Sequence, residues 1–302
     1  MTPAAATQSA QTMNWPPAVL AAQKPRVEAL EESHREEILG FLSERPLHTV
    51  YMSGLVRDNG VQSPFNRGAF YGCRDEAGAL EAVALVGHAT LIEARTERSA
   101  AAVAEFAQKC PRLRLLLGEQ ERIEQFWRHY APGGRAPRRF AREMLFEKSW
   151  PAEVCEPVAS LRRANMGDLD LVAAAHAQMA FDESGVDPLA TDPRGFRQRC
   201  ARRVEAGRVW VVVESGRLLF KADVVSETPE VVYLEGVYVA PEERGRGLGR
   251  RCLAQLCDDI LSRARSVALL VDERNERAAQ FYRRAGFKLR AFYDTVFLRA
   301  ED

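Results

Sequence analysis

The sequence lacks several features that would assign it to a particular class of protein. Its 42 lysine and arginine residues are balanced by 42 aspartate and glutamate residues, so the formal net charge is +0. A chain without excess charge gives no compositional support for binding to nucleic acid or anionic lipid. No apolar run approaches the ~20 residues that a membrane-spanning helix requires, which argues against a membrane protein.

Cysteine is scarce and shows no ligand pattern. No two cysteines form a C-x-x-C pair, and no histidine lies near them at the spacing of zinc ligands. The sequence therefore predicts free thiols in a reducing compartment, the cytoplasm, and no bound metal. The six cysteines are Cys73, Cys110, Cys155, Cys200, Cys252 and Cys257.

Composition divides the chain into segments. Residues 1–25 lack the basic start and the apolar stretch of a secretory signal, and they predict a disordered tail. A chain of 302 residues has room for two domains. Two prolines bracket a polar stretch at 151–157 and interrupt regular structure there. This stretch is therefore predicted to link a domain at 26–150 to one at 158–302.

Hydrophobic periodicity predicts alternating strands and helices in the second half. Pro193 favours the start of a helix, and Gly286 is typical of a helix end. Runs of β-branched residues predict buried strands. In chain order, the predicted strands are 158–162, 209–213, 218–225, 231–239, 267–271 and 293–299, and the predicted helices are 165–181, 193–205, 248–263 and 276–284.

The first half repeats this order of elements with little residue identity. Its predicted strands are 26–30, 69–73, 80–86, 89–93, 113–117 and 140–146, and its predicted helices are 35–42, 49–57, 97–109 and 119–129. A repeated order of elements indicates an internal duplication of topology.

A glycine-rich loop follows the predicted strand at 231–239 and reads Arg244-Gly245-Arg246-Gly247-Leu248-Gly249. Glycines let the backbone approach a ligand closely and adopt positive φ. The free amides and the dipole at a helix start attract phosphate oxygens, and arginines add positive charge. The loop therefore predicts an anion site, although its spacing is neither that of a dinucleotide-binding fingerprint nor that of a P-loop.

The loop resembles motif A of the GNAT superfamily of N-acetyltransferases, which reads (Q/R)-x-x-G-x-(G/A). Its three defined positions are held by Arg244, Gly247 and Gly249. Motif B of that family, N-x-x-A-x-x-x-Y-x-x-x-G-F, is matched farther along the chain. The matching residues are Asn275, Ala278, Tyr282, Gly286 and Phe287. The two motifs stand in the family's order, and the resemblance covers residues 158–299, roughly half of the chain.

The resemblance implies an α/β fold (α+β in some schemes) with two GNAT-like domains, each a mixed, mostly antiparallel sheet flanked by helices. Acetyl-CoA is the implied co-substrate, and its pantetheine arm extends the sheet along Val237, Tyr238 and Val239. The implied pyrophosphate site is the loop from Arg244 to Gly249, through Gly245, Arg246, Gly247 and Leu248. Asn275 is expected to bond to the pantetheine arm.

The resemblance also implies direct attack of an amine on the thioester in a ternary complex, without an acyl-enzyme. Tyr282 is the candidate general acid that protonates the leaving thiolate, and the competing interpretation is that its ring only packs in the core. Glu235 is the candidate general base, because alternation along its strand places it on the same face as Val237. Its competing interpretation is a carboxylate on a half-exposed strand.

The resemblance also implies an amine-binding site near the end of the first helix of the second half. Asp182, Glu183 or Asp187 is expected to bind an ammonium group there, with Glu183 as the preferred candidate, and the competing interpretation is a solvated acidic cluster at a helix end. His176 on an apolar helical face is interpreted as a core histidine. The arginines of the helix at 193–205 are interpreted as a solvated face.

The first half keeps the topology and lacks the motifs. The stretch after its strand at 89–93 has no glycine, so its backbone is not expected to cradle a pyrophosphate. It therefore resembles the degenerate half of a tandem GNAT protein. The acceptor is predicted to be a small-molecule amine or a protein lysine, and the alternative outside catalysis is an acyl-CoA sensor. A monomer and a homodimer both remain open.

Overall fold

The computed structural model describes residues 25–151 and 156–299. The predicted tail at 1–25 lies outside these residues apart from its last position, and so does the centre of the predicted linker at 151–157. The division into two domains at this linker stays a prediction. Within the described residues, no helix is long and apolar enough to cross a membrane.

The described residues of the first half alternate between strands and helices, close to the predicted order. In chain order, these elements are β1 (Val27–Ala29), α1 (Arg35–Ser43), α2 (Pro46–Asn59), β2 (Gly68–Arg74), β3 (Leu80–Gly87), β4 (Ala89–Ala94), α3 (Glu97–Ala107), β5 (Leu115–Glu119), α4 (Gln120–Tyr130) and β6 (Pro137–Lys148). Strong signals set several boundaries, such as Pro46 in the first turn of α2.

The second half follows the prediction with three differences. Residues 158–161 form a turn rather than a strand, the short helix α6 was not predicted, and β12 begins at Lys288 rather than at residue 293. In chain order, the elements are β7 (Arg162–Arg163), α5 (Leu169–Ser184), α6 (Pro188–Thr191), α7 (Pro193–Glu205), β8 (Val209–Glu214), β9 (Arg217–Glu227), β10 (Val231–Val239), α8 (Leu248–Leu261), β11 (Ser266–Asp272), α9 (Glu276–Arg284) and β12 (Lys288–Leu298).

All of these strands belong to one continuous sheet. The spatial order is β1-β2-β3-β4-β5-β12-β6-β11-β10-β9-β8-β7. Only β4 with β5 and β10 with β11 pair in parallel, and the other described neighbours are antiparallel. The predicted α/β class with a mixed, mostly antiparallel sheet and flanking helices is confirmed, although the two predicted sheets are joined edge to edge.

The joint is an exchange of the last strand of each half. Strand β6 of the first half lies between β11 and β12, and β12 of the second half lies between β5 and β6. Three consecutive residues of β6, Met144, Leu145 and Phe146, are buried, as expected for a strand covered on both faces. The first half therefore supplies a central strand to the sheet of the second.

The sheet opens in the middle of each parallel pair. Strand β10 pairs with β11 only from Val231 to Leu234, and its remaining residues diverge from β11. Strand β4 pairs with β5 only at Ala89 and Thr90 before the two diverge. The openings lie at equivalent places in the two halves, and α8 and α3 each follow the strand that diverges.

Candidate functional site

A β-bulge at Gly236 shapes the opening between β10 and β11. Glu235 pairs with Asp223 on β9 and Tyr238 pairs with Lys221, so β10 carries one extra residue at this point. Gly236 has a φ of +60°, which favours glycine. The extra residue breaks strict alternation, so the predicted reason for placing Glu235 and Val237 on one face is wrong.

A buried ion pair between Lys221 and Asp223 supports this bulge. The Lys221 ammonium donates to the Gly236 carbonyl at 3.2 Å and lies 2.8 Å from the Asp223 carboxylate. Both side chains are almost fully buried, at 0% and 1% exposure. Burial alone raises the pKa of the Asp223 carboxyl, but Lys221, His176 and Arg203 together hold that pKa below its usual range. The ion pair therefore stays charged in the interior.

The predicted solvated face of α7 is wrong for Arg203, whereas Arg197 and Arg202 are exposed as predicted. Arg203 reaches inward to Asp223 at 3.3 Å, and Arg202 lies over the Phe65 ring at 3.6 Å from its centroid. His176 is partly buried and lies 3.4 Å from the same Asp223 carboxylate. Asp223 on β9 and Phe65 of the first half supply these contacts, which the helical pattern of α7 alone does not reveal.

The end of β10 presents an open backbone edge. The Ala240 amide donates to the Leu219 carbonyl at 2.9 Å, so this end of β10 is held on β9. Backbone groups alternate in direction along a strand, which points those of Val239 and Val237 toward the opening. The Val239 carbonyl accepts a 2.9 Å bond from Arg244 Nε, and no other described group bonds to this edge, which suits an extended ligand.

The glycine-rich loop presents unused amides at the start of α8. Gly245 and Gly247 have φ of +82° and +87°, and no protein atom lies within 4 Å of where a Cβ would stand on either. Gly247 is the N-cap residue of α8 and offers no side chain to cap it. In the described part of the chain, no group accepts from the amides of Gly245, Gly247, Leu248 or Gly249. Such a helix start suits phosphate oxygens.

Gly249 has a different function from the two glycines before it. A Cβ on Gly249 would stand 2.6 Å from Val239 Cγ2, so this glycine lets α8 pack closely on β10. The residue is buried, unlike Gly245 and Gly247, which are exposed. Of the predicted loop, Gly245 and Gly247 are therefore open to solvent, and Gly249 allows the helix to pack against the sheet.

Asn275 caps the helix that carries Tyr282. Its side-chain oxygen accepts from the Ala278 amide at 3.0 Å, which fixes the start of α9. Its side-chain N–H groups have no acceptor among the described residues, so the predicted bond to pantetheine stays a prediction. At the other end of α9, Gly286 has a φ of +86°, as predicted for a helix end.

Tyr282 lies in an aromatic pocket on α9 and is 8% exposed. Its ring contacts those of Phe281 and Phe287, with centroids 5.2 and 5.7 Å away. Burial, followed by the neighbouring Cys257 and Glu183, raises the pKa of the Tyr282 phenol above its usual range, so the hydroxyl stays protonated at neutral pH. Packing and proton donation are compatible here, and the catalytic assignment stays a prediction.

Three glutamates on different elements face the opening. Burial and the charges of Glu235 and Glu143 raise the pKa of Glu183 to about 7, although the residue as a whole is exposed. Burial also raises the pKa of Glu143. A 2.8 Å hydrogen bond from the Thr295 hydroxyl lowers this pKa, and the charge of Glu235 raises it further. The predicted Glu183 and Glu235 are therefore near enough to act on each other electrostatically.

Glu143 is the residue of this group that the sequence did not reveal. It lies on β6, opposite Asp272 of β11, and belongs to the half predicted to lack chemistry. Only the strand exchange brings it to the opening. The other two predicted carboxylates have local partners, because Asp182 accepts from Gln178 at 2.8 Å and Asp187 accepts from the Leu189 amide at 2.8 Å.

The corresponding opening of the first half is closed by ion pairs. Arg45 on the approach to α2 lies 3.0 Å from both oxygens of Glu93 on β4 and 2.5 Å from Glu119 on β5. The start of α3 is capped, because Thr96 accepts from the Ser99 amide at 3.2 Å. The strand end and the helix start that are free in the second half are thus both occupied in the first.

Residues 175–287 match the family described as acetyltransferase (GNAT) family. The matched segment contains the glycine-rich loop, Glu235, Asn275 and Tyr282. It ends at Phe287, the last position of the second motif. No curated protein matches the sequence.

Solved structures resemble the fold over nearly the whole chain. A Drosophila protein is 14% identical with a TM-score of 0.66, and the match covers 91% of this chain and 99% of that one. A tandem GNAT protein from the clavulanic acid biosynthesis pathway is 14% identical with a TM-score of 0.56, covering 92% and 100%. A GNAT-family acetyltransferase from Colwellia psychrerythraea is 12% identical with a TM-score of 0.53, covering 91% and 100%. At such identities the likeness concerns the fold alone.

Proposed function

Residues 175–287 belong to the acetyltransferase (GNAT) family, and from that premise we propose that this chain transfers an acetyl group from acetyl-CoA to a primary amine. The observation that carries the proposal is the uncapped start of α8, whose amides lie open beside the free edge of β10. The acyl donor and the acceptor are parts of the proposal. Family membership alone supports an acyltransferase.

The donor end of the site fits coenzyme A in two ways. The amides of Gly245, Gly247 and Leu248, with the dipole of α8, suit a pyrophosphate, and Arg244 and Arg246 add positive charge beside it. The diverging end of β10 suits an amide-bearing arm that continues the sheet. The arm then lies in the opening between β10 and β11, beneath Tyr282 and beside Asn275.

The transfer step needs three proton movements. Glu235 accepts the proton that the ammonium group loses before attack, directly or through water. The amine then attacks the thioester carbonyl, the C–S bond breaks, the departing thiolate takes the Tyr282 proton, and the proton that the nitrogen loses after attack restores the Tyr282 phenol. Most of the rate enhancement then comes from holding the two reactants together and from electrostatic stabilisation, without a covalent acyl-enzyme.

The acceptor side of the opening suits a cationic group. Burial, and after it the charge of Glu235, raise the pKa of both Glu143 and Glu183, so these carboxylates repel one another. An ammonium ion relieves this repulsion when it binds between them. A free amine and a lysine side chain both present that group, and exposed Glu183 marks the rim at which the rest of the acceptor would lie.

The first test compares two glycines with the same backbone conformation. Gly247→Val places a β-branched side chain at a φ of +87° on the proposed phosphate surface, and Gly78→Val does so at +85° in a remote hairpin turn. We expect Gly247→Val to weaken acetyl-CoA binding more than 100-fold by calorimetry and Gly78→Val to leave it unchanged. Equal affinities in the two variants would refute the loop as the donor site.

The second test separates a catalyst from an acyl-CoA sensor. Tyr282→Phe removes the hydroxyl and keeps the ring contacts with Phe281 and Phe287. We expect turnover over a panel of primary amines to fall by about 10²-fold or more, with acetyl-CoA affinity unchanged. If the wild-type chain binds acetyl-CoA and transfers nothing to any amine, the sensor alternative is correct.

A further inference from the structure

A cavity with cationic walls lies in the first half, away from the glycine-rich loop. Its volume is about 590 Å³, within the range of small-molecule sites. It is lined by His88, which directly precedes β4, and by Arg114, which directly precedes β5. The opening closed by Arg45 involves Glu93 near the other end of β4, so the cavity lies at the opposite end of the sheet.

Backbone bonds fix three basic residues around this cavity. The His88 amide donates to the Arg67 carbonyl at 2.9 Å, and the Arg114 amide donates to the His88 carbonyl at 3.0 Å. Gly87 permits the close approach, because a Cβ there would stand 2.4 Å from the Arg67 carbonyl oxygen. The arrangement is therefore set by the main chain rather than by flexible side chains.

The charges around the cavity are unbalanced. Arg67, Arg112 and Arg114 line it, and none of the three has a carboxylate partner within the described residues. Arg199 of α7 adds a fourth guanidinium that acts on Arg67, and the acidic group nearby is Asp192, paired with Arg199 at 3.0 Å. Burial, then Arg67, Arg114 and Arg199, lower the pKa of His88 to about 4, so its imidazole is neutral.

Arg67 also has an unusual backbone conformation. It follows a turn of 3-10 helix at Pro64–Asn66 with a φ of +54°, in the left-handed region that favours glycine. A non-glycine residue there costs free energy, and such residues cluster at ligand sites. Binding of a ligand by the Arg67 side chain would offset the free energy that this backbone conformation costs.

We propose that this cavity binds a phosphorylated small molecule of about nucleotide size. The guanidinium groups of Arg67 and Arg112 hold the phosphate, for which arginine is well suited. Arg114 adds its charge and its remaining N–H groups, because its Nη1 already donates to the Pro111 and Leu113 carbonyls at 2.9 and 3.1 Å. The cavity exceeds what phosphate alone would fill, and Tyr71 and Val86 provide an apolar wall for an organic body. The site does not depend on acetyl transfer in the second half.

Calorimetry with three probes tests the proposal on Gly247→Val protein, in which the proposed coenzyme A site is disabled. We expect one AMP to bind per chain, inorganic phosphate to bind more weakly, and adenosine not to bind. Arg67→Gly removes the guanidinium and suits the left-handed backbone, so it should keep the fold and weaken AMP binding about 10-fold. Arg112→Ala should weaken AMP binding by a similar factor.

Arg98→Ala is the matched control, because Arg98 is an exposed arginine of the same half outside the cavity. We expect it to bind AMP like the parent protein. The proposal is overturned if neither AMP nor phosphate binds, if adenosine binds as well as AMP, or if the Arg67→Gly, Arg112→Ala double variant keeps the parent affinity. Thermal unfolding of each variant verifies that the protein is folded.

Discussion

The two openings of the sheet lie at equivalent places in the topology, but side chains fill the first and leave the second open. Between β4 and β5, Arg45 bridges Glu93 and Glu119, and Thr96 caps the helix that follows. Between β10 and β11, the strand edge is free and the helix that follows starts at Gly247 without a cap. A strand that diverges from its neighbour therefore leaves room for a ligand only where no described group of the chain fills the gap.

The two openings also differ in the partners of their carboxylates. The carboxylates of the first opening have a guanidinium between them, at 3.0 Å and 2.5 Å. In the second opening, burial and the charges of Glu235 and Glu143 raise the pKa of Glu183 to about 7, while Arg203 acts on Glu235 and Arg139 acts on Glu143. We infer that the ammonium group of the proposed acceptor occupies in the second half the place that the Arg45 guanidinium holds in the first.

The largest predicted effect concerns whether the second half can fold without the first. A fragment of residues 158–302 lacks β6, which lies between β11 and β12 and pairs with both. We expect this fragment to be unfolded or aggregated, because two buried strand edges lose their partner. Circular dichroism and size-exclusion chromatography measure this outcome.

The matched control is a fragment of residues 134–302, which retains β6. We expect it to be soluble and to unfold in one cooperative transition. A cooperatively folded 158–302 fragment would show that the boundary near residue 150 separates independent domains, as the proline pattern predicts.

Local signals predicted much of this fold. Helices α7 and α9 and strand β10 begin and end where the sequence placed them, because proline, glycine and β-branched runs mark those limits. The exchange of β6 and β12 was not predicted, since strand order depends on pairing between residues far apart in sequence. The turn at residues 158–161 shows that an apolar pair such as Val158 and Leu161 does not by itself make a strand.

The site was predictable to a similar extent. The glycine-rich loop, Glu235 and Glu183 were predicted from motif and position and stay predictions, and Gly236 inside a strand was an available signal for the bulge. Glu143 and Arg45 could not be found in this way, because each acts on groups from other elements. Their identity follows from which strands are neighbours, and that information is not local.

The second prediction breaks the ion pairs of the first opening. Arg45→Ala leaves Glu93 and Glu119 without their guanidinium, and the Glu93 side chain is only 9% exposed. We expect the free energy of unfolding to fall by about 2 kcal/mol, less than for a fully buried pair because Arg45 is partly exposed. Urea denaturation measures this change.

Arg35→Ala is the control, since its ion pair with Glu32 is at the surface and should cost about 0.5 kcal/mol or less. We also expect acetyl-CoA to bind Arg45→Ala at one molecule per chain, because Thr96 still caps α3. A second bound acetyl-CoA would show that Arg45 alone separates the two openings.

The smallest predicted effect is a pH dependence that only the second opening should have. The pKa of Glu183 is raised from 4.5 to about 7, so this carboxyl ionises as the pH rises through 7. Glu183→Gln should therefore have the wild-type KM for the amine near pH 5.5 and a KM about threefold higher near pH 8, with KM for acetyl-CoA unchanged. Deprotonation of the amine itself affects both proteins equally and cancels in their ratio.

Stability gives an independent readout of the same carboxyl. A carboxyl with a raised pKa in the folded state binds more protons there than in the unfolded chain, so its contribution to stability is lost as the pH rises from 4.5 to 7. Glu183→Gln should consequently gain stability relative to wild type between pH 5 and pH 8. Gln178→Ala, one turn earlier on α5, should show no such pH-dependent gain. If the difference in stability between Glu183→Gln and wild type is constant across this range, Glu183 is an ordinary surface carboxylate. The proposed correspondence between the Arg45 guanidinium and the acceptor ammonium group would then be wrong as well.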